Sequence, residues 1–211
     1  MKSIVILISG RGSNLRSLIG AALPLSIKAV ISNRPNAAGL AIATAHGIAT
    51  EVIDHRQFAR REDFDTALAT RIDALGADYI VLAGFMRVLG DAFVNSYPHR
   101  MLNIHPSLLP SFPGLHTHQR ALAAGVKIHG CTVHFVTPAL DHGPIVIQAA
   151  VPVLAGDTAE TLAARVLEQE HRIYPQALRW LAEERIEFLP GDIVRVNRSR
   201  DAPGYLVAPQ D

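Results

Sequence analysis

The sequence predicts an α/β protein: a Rossmann-like, open twisted sheet, mostly parallel, with helices on both faces and an antiparallel strand in its C-terminal half. Three observations carry this reading. Continuous apolar runs of strand length, such as Ser3–Ile8 and Tyr79–Ala83, are expected of parallel strands covered on both sides. Segments with apolar residues at helical spacing alternate with these runs, as repeated strand–helix units require. The connection Pro138 to Pro144 is too short for a parallel crossover, so the strands it joins are antiparallel.

The 211 residues, 49% hydrophobic and 18% charged, suffice for one sizeable core and are few for two full domains. A net charge of +1 gives no bulk field favouring nucleic acid or an anionic membrane, so an anionic substrate must be caught locally. The single cysteine, Cys131, excludes an internal disulfide framework and reads as a buried strand residue. The N-terminal apolar run is too short to span a membrane, and no small-residue cleavage pattern follows it, so a cytoplasmic location is expected.

Taken in order, Ser3–Ile8 is the first and central strand. Ser9-Gly10-Arg11-Gly12-Ser13-Asn14-Leu15 then turns into a helix to about Ala22, with Ser13 or Asn14 able to cap it. This is the geometry of an anion site as well as of a plain strand-to-helix turn. As a dinucleotide fingerprint it is poor, because Leu15 takes the third glycine position. The second strand, Ile27–Ser32, ends at Asn33 and Arg34 with no acidic residue for a ribose. A single phosphate fits better. A helix over Ala38–Ala45, a short strand Ala49–Ile53, and a helix over Glu62–Leu75 with Phe64, Leu68, Ile72 and Leu75 on one face follow. After Tyr79–Ala83, Gly84 permits close backbone approach, Met86 and Leu89 flank Arg87 as core candidates, and Asp91 to about Tyr97 is a short helix.

In the second half, Thr117–Ala124 is a helix ended by Gly125, and Ile128–Thr137 and Ile145–Val153 are the antiparallel strands, one of them at the sheet edge. Asp157-Thr158-Ala159-Glu160 has capping-box character before a helix with Leu162, Val166 and Ile173 on one face. Pro175 is expected to kink that helix or to start a new one running to about Ala182. From Leu189 to Asp211 the chain is polar and irregular, with Ile193–Val196 a possible edge strand.

Chemistry concentrates in Met101–His116. Pro106 stops a buried strand and biases His105 away from helix, so Asn103 and His105, two residues apart, project together at the strand's carboxyl end. Open α/β sheets bind ligands there. Pro106, Pro110, Pro113 and Gly114 make the following loop stiff, which lowers the entropy of holding it against a substrate. A lone His at a strand end is more often structural, so the longer wording has to decide. Asn103-Ile104-His105-Pro106-Ser107-Leu108-Leu109-Pro110, followed by Leu140-Asp141-His142-Gly143-Pro144, resembles the signature of the folate-dependent formyltransferases.

Seven of the 10 histidines lie between His99 and His142, which invites a metal reading, yet His116-x-His118 lacks an accompanying Cys, Asp or Glu set and no metal is expected. No Gly-x-Ser-x-Gly elbow or reactive cysteine context supports a nucleophile. Asn103, His105 and Asp141 remain, suited to acyl transfer without a covalent enzyme intermediate.

Within that family the chain is similar to the phosphoribosylglycinamide formyltransferases from Ile4 to about Tyr174. The resemblance implies formyl transfer from 10-formyltetrahydrofolate, as co-substrate, to the amine of glycinamide ribonucleotide in purine (IMP) biosynthesis. It implies that Gly12, Ser13 and Asn14 bind the ribonucleotide phosphate, that Arg61, Met86, Arg87, Val88, Leu89 and Asn103 bind folate, and that Asn103, His105 and Asp141 are catalytic. Glu170 aligns near the substrate amine. Arg11 in the glycine turn and His142 after Asp141 depart from the usual pattern, the latter bearing on the flexibility of the folate loop. The expected organisation is a single domain over 1–189, phosphate-binding over 1–100 and catalytic and folate-binding over 101–189, with a tail over 190–211. The expected partners are small molecules alone, without nucleic acid or membrane, for a monomer or homodimer.

Methionyl-tRNA formyltransferase needs a further RNA-binding domain, for which the tail after Leu189 is short, and formyltetrahydrofolate deformylase usually carries an N-terminal regulatory domain. A non-catalytic nucleotide- or folate-binding module would have no need of Asn103, His105 and Asp141 together.

Overall fold

A computed structural model of the chain describes residues 1–199 and 208. The elements are β1 (Ser3–Ile8), α1 (Ser13–Gly20), β2 (Ser26–Ser32), α2 (Ala38–Ala45), β3 (Thr50–Val52), α3 (Arg61–Leu75), β4 (Tyr79–Leu82), α4 (Asp91–Asn95) and β5 (Met101–His105). They continue as α5 (Thr117–Ala123), β6 (Ile128–Phe135), β7 (Ile145–Pro152), α6 (Ala159–Ala182), β8 (Ile186–Leu189) and β9 (Ile193–Val196). The strands form a seven-stranded sheet in the order β3-β2-β1-β4-β5-β6-β7 and a separate β8-β9 pair. β1 pairs in parallel with β2 and β4, β2 with β3, and β4 with β5, whereas β6 and β7 are antiparallel with β7 at the edge. The predicted sheet, including its antiparallel edge, is therefore present.

Among the described residues two compact units are formed, 1–103 with 135–138, and 104–134 with those from 139 onward. In the first unit every residue of β1 is buried, because neighbours hydrogen-bond to both of its edges and apolar side chains leave it on both faces. Phe64, Leu68 and Ile72 of α3 pack with Val5, Leu7, Ile80, Leu82, Tyr97 and Met101. The Tyr97 hydroxyl donates to Asp73 Oδ1 at 2.9 Å, so this buried phenol ties the end of α4 to α3. Leu89 joins the same core, but Met86 is 68% exposed, so only one of the two core candidates beside Arg87 is a core residue.

Gly12 precedes α1 with φ 77° and no side-chain cap, so neither Ser13 nor Asn14 caps the helix as expected. Packing is the reason: a Cβ on Gly12 would lie 2.7 Å from the Cα of Gly39, which brings α1 and α2 together backbone to backbone.

In the second unit α6 runs unbroken from Ala159 to Ala182, so Pro175 starts no new helix. A helix-interior proline costs about 3 kcal/mol, and burial of Ile173, Tyr174, Pro175, Ala177 and Leu178 along one stretch offsets it. Thr158 and Thr161 cap the start reciprocally, the third position being Thr161 where a Glu or Gln is usual. Asp157 accepts two hydrogen bonds from Arg165, at 2.7 and 2.9 Å, and these hold its carboxyl well below the usual carboxylate range. β9 lies where an edge strand was expected, and its partner β8 carried no alternating signal clear enough to predict. The end of the expected polar tail falls outside the described residues. No helix among the described residues is long and apolar enough to cross a membrane.

Candidate active site

The first unit holds the glycine turn and the residues expected to meet folate. α1 begins at Ser13 directly after the left-handed Gly12, and the first-turn N–H groups of a helix have no intrahelical acceptors. Asn14 is buried and Ser13 half-buried at this start. Ser9, which the sequence did not single out, organises the neighbourhood. Its hydroxyl donates to Asn33 Oδ1 at 2.6 Å and accepts the N–H of Met86 at 2.8 Å, joining the ends of β1 and β2 to the segment after β4.

That segment spans Gly84, at φ 73°, to Leu89. Val88, like Met86, is largely exposed, whereas the Arg87 guanidinium lies 4.8 Å over the Phe64 ring. Stacked this way, Arg87 holds the segment against the core and leaves its main chain and the side chains of Met86 and Val88 as the presented surface. Arg61 reaches the same segment through Asp65: its Nε is 3.7 Å from Asp65 Oδ2, which accepts the N–H of Gly90 at 2.8 Å. Asn103 is half-buried on β5, two residues before His105, so strand alternation projects both side chains to the same side.

The second unit holds His105 and Asp141. His105 is 6% exposed, with Nε2 3.0 Å from the carbonyl of Phe112 in the proline loop. A carbonyl only accepts, so Nε2 carries a hydrogen. The other ring nitrogen, Nδ1, is 3.5 Å from Asp141 Oδ2. Both ring nitrogens thus face acceptors. Asp141 sits in a tight connection at φ 55° and takes the N–H of Gly114 on Oδ2 at 2.7 Å, while Oδ1 lies 3.9 Å from His134 Nε2.

The proline loop is braced by groups with no sequence signature. Thr132 Oγ1 on β6 donates to the carbonyl of Ser107 and accepts from Leu109 N at 3.0 Å and Gln148 Nε2 at 3.0 Å. Gln148 Nε2 also reaches the carbonyl of Leu109, and the Ser107 hydroxyl donates to the carbonyl of Ser111. Gly130 makes room beside this brace, because a Cβ there would fall 2.0 Å from the Ala149 carbonyl oxygen. Thr132 and Gln148 are ordinary strand residues in sequence, and only the register Thr132↔Gln148 brings them together.

Glu170 is buried on α6, and burial together with its charge pushes the Cys131 thiol up to about 12, which removes thiolate chemistry near neutral pH. Around His105, burial first and then the charge of His118 hold His129 down to about 4, and burial first and then the charge of His105 lower His118. These rings are therefore neutral packing near neutral pH. Among the described residues no group of three or more His, Cys, Asp or Glu side chains is arranged to hold a metal ion.

The formyl transferase family model matches residues 2–178. The chain is 51% identical over 189 residues to the phosphoribosylglycinamide formyltransferase of Escherichia coli (strain K12), covering 88% of this chain and 89% of that protein. It is 47% identical over 188 residues to the trifunctional purine biosynthetic protein adenosine-3 of Gallus gallus, covering 87% of this chain and 19% of that longer protein. The crystal structure of glycinamide ribonucleotide transformylase 1 from Symbiobacterium toebii has a TM-score of 0.90 at 47% identity over 93% of this chain and 94% of that one. The phosphoribosylglycinamide formyltransferase of Coxiella burnetii, solved in complex with CHES, has a TM-score of 0.88 at 49% identity over 93% of each chain. On the match to the family model and on these identities, the chain belongs to the formyl transferase family, among its phosphoribosylglycinamide formyltransferases.

Proposed function

We propose that the protein transfers the formyl group of 10-formyltetrahydrofolate to the amine of glycinamide ribonucleotide. The observation that carries this reading is the buried pair of His105 and Asp141, 3.5 Å apart, with Asn103 two residues before His105 in β5. The neutral amine attacks the formyl carbon, and the carbonyl oxygen becomes an oxyanion. The Asn103 carboxamide and the His105 imidazolium donate to that oxygen as its charge develops, where preorganised donors lower the barrier most.

Two acceptors on one ring are served best by the doubly protonated imidazole. The Phe112 carbonyl holds Nε2, and the 3.5 Å separation at Nδ1 is longer than an ordinary hydrogen bond, so Nδ1–H is the donor free to turn to the substrate oxygen. Asp141 stabilises the cation and helps carry the proton from the attacking amine to the leaving nitrogen, directly or through water.

The start of α1 at Gly12, Ser13 and Asn14 takes the ribonucleotide phosphate, as uncapped helix N-termini suit anions. Met86 to Leu89, with Arg61 and Asn103, receive the folate, and buried Glu170 lies near the substrate amine. Residues 1–189 act as one catalytic domain, the first half holding the phosphate and the second the chemistry.

The test compares glycinamide ribonucleotide, water and Met-tRNA as acceptors of the formyl group. Transfer confined to the ribonucleotide is expected. Hydrolysis or tRNA formylation at a comparable kcat/KM would overturn the assignment.

A further inference from the structure

Beside the first residues of the glycine turn, the first unit contains a cavity of about 520 Å³ lined by Ser9, Gly10, Arg11, Arg34, His55 and Arg56, among others. No carboxylate is among its lining residues. In a chain of net charge +1, three guanidiniums are gathered around one concavity. Exposed arginines on a flat surface are ordinarily solvated, but here they rim a hollow whose volume lies within the small-ligand range of roughly 300–1,000 Å³. Among the described residues Arg11 and Arg34 have no ion-pair partner, while Arg56 pairs with Asp54 at 2.7 Å.

The surround is ordered beneath the rim. Asn33, 3% exposed, accepts the Ser9 hydroxyl on Oδ1, and its carbonyl lies 2.8 Å from His55 Nδ1. Since that carbonyl only accepts, Nδ1 carries the hydrogen. The Arg34 backbone is fixed at the end of β2 by the Ser32 hydroxyl, which donates to its carbonyl and accepts its N–H. α2 starts at the cavity with Ala37 at its N-cap and no side-chain cap, so the positive end of that helix faces the same space as the arginines.

We propose that this cavity is a second anion site, distinct from the start of α1, and that it takes a small molecule carrying a phosphomonoester. The end of β2 is where an acidic side chain would read a ribose diol, and an arginine there instead suits a phosphate. Guanidinium forks match phosphate oxygens two at a time, and a monoester dianion draws on more than one of them. The cavity is lined by the start of α2 and not by Ser13 or Asn14, and the close approach of Gly12 to Gly39 stands between the two helix starts.

The test is an NMR titration of the whole chain with ribose 5-phosphate, read at the His55 ring and repeated with sulfate as a general anion control. Arg34→Gln and Arg34→Glu remove the charge at an exposed side chain without an ion pair, so both variants keep the fold. We expect saturable His55 shifts with ribose 5-phosphate, binding weakened about tenfold in Arg34→Gln and more in Arg34→Glu, and a ribonucleotide KM within about twofold of the parent. A His55 ring that does not respond, a response that survives Arg34→Glu, or an equal response to sulfate would overturn the proposal. A ribonucleotide KM rising in step with the loss would also overturn it, by showing that the cavity holds the substrate's own phosphate. Formyl transfer measured on the same samples reports separately on the assignment of the reaction.

Discussion

The carboxylate oxygen of Asp141 that approaches His105 Nδ1 at 3.5 Å is the same oxygen that accepts the Gly114 N–H at 2.7 Å. The loop that carries Gly114 therefore fixes the acid, while the Phe112 carbonyl in that loop fixes the opposite nitrogen of the base. Asp141→Asn keeps the shape and removes the charge that favours the imidazolium. Turnover is expected to fall on the order of 10²-fold to 10⁴-fold, with ribonucleotide KM little changed. His105→Ala should cost a similar factor, and the double variant much less than the product of the two, since both act on one developing charge. Rate losses that multiply would mean that the two side chains work independently.

The phosphate assignment needs a probe other than Gly12. Any side chain there meets Gly39 and must adopt φ 77°, so replacing Gly12 damages α1–α2 packing whatever the ligand does. Asn14→Asp is nearly isosteric and puts a negative charge in the first turn, which the helix dipole tolerates and a bound phosphate does not. Ribonucleotide KM should rise at least about tenfold, from like-charge repulsion at close range, while folate KM stays within about twofold. Equal rises in both constants would remove the phosphate from this helix start.

Ser9 tests the folate segment. Its hydroxyl is the acceptor for Met86 N–H and the donor to buried Asn33, so Ser9→Ala leaves two groups unsatisfied and should cost about 1–3 kcal/mol of stability. With Met86 released, the main chain that we assign to folate loses its fixed position. Folate KM is expected to rise several-fold more than ribonucleotide KM in steady-state assays. A uniform loss across both substrates would mean that Ser9 serves the fold alone.

Legibility in the sequence followed the periodicity of the residues involved. The runs Ser3–Ile8 and Tyr79–Ala83 and the spaced Phe64, Leu68 and Ile72 are signals that local sequence carries, and each became the element expected. The short Pro138–Pro144 connection likewise dictated an antiparallel pair. Of the two outcomes expected at Pro175, the start of a new helix does not occur, because its local penalty is set against burial supplied by distant residues. The pairing of His105 with Asp141 could be anticipated from residue types, but Thr132, Gln148 and Ser9 could not. Their roles come from strand register and from loops meeting in space, and nothing in their own neighbourhoods in sequence marks them.

Acid stability gives the last test, and it turns on His129. The ring is 1% exposed, packed edge-on against Phe112 and His118 with centroids 5.9 and 5.3 Å apart. Burial first, then the charge of His118, holds it down to about 4 in the folded chain, whereas an unfolded histidine titrates near 6.5. Below about 6.5 the unfolded chain takes up a proton that the folded chain refuses, so stability is complete above that pH and falls as pH drops toward 4. The full contribution is at most about 3 kcal/mol, of which about 2 kcal/mol is lost between pH 7.5 and pH 5. Urea unfolding at those two pH values should show the loss in the native chain and a markedly smaller one in His129→Gln. Because each protein is compared with itself, any packing cost of the substitution cancels from the difference. An equal loss in both proteins would place the acid sensitivity elsewhere, with His118, lowered by burial and by the charge of His105, as the next residue to replace.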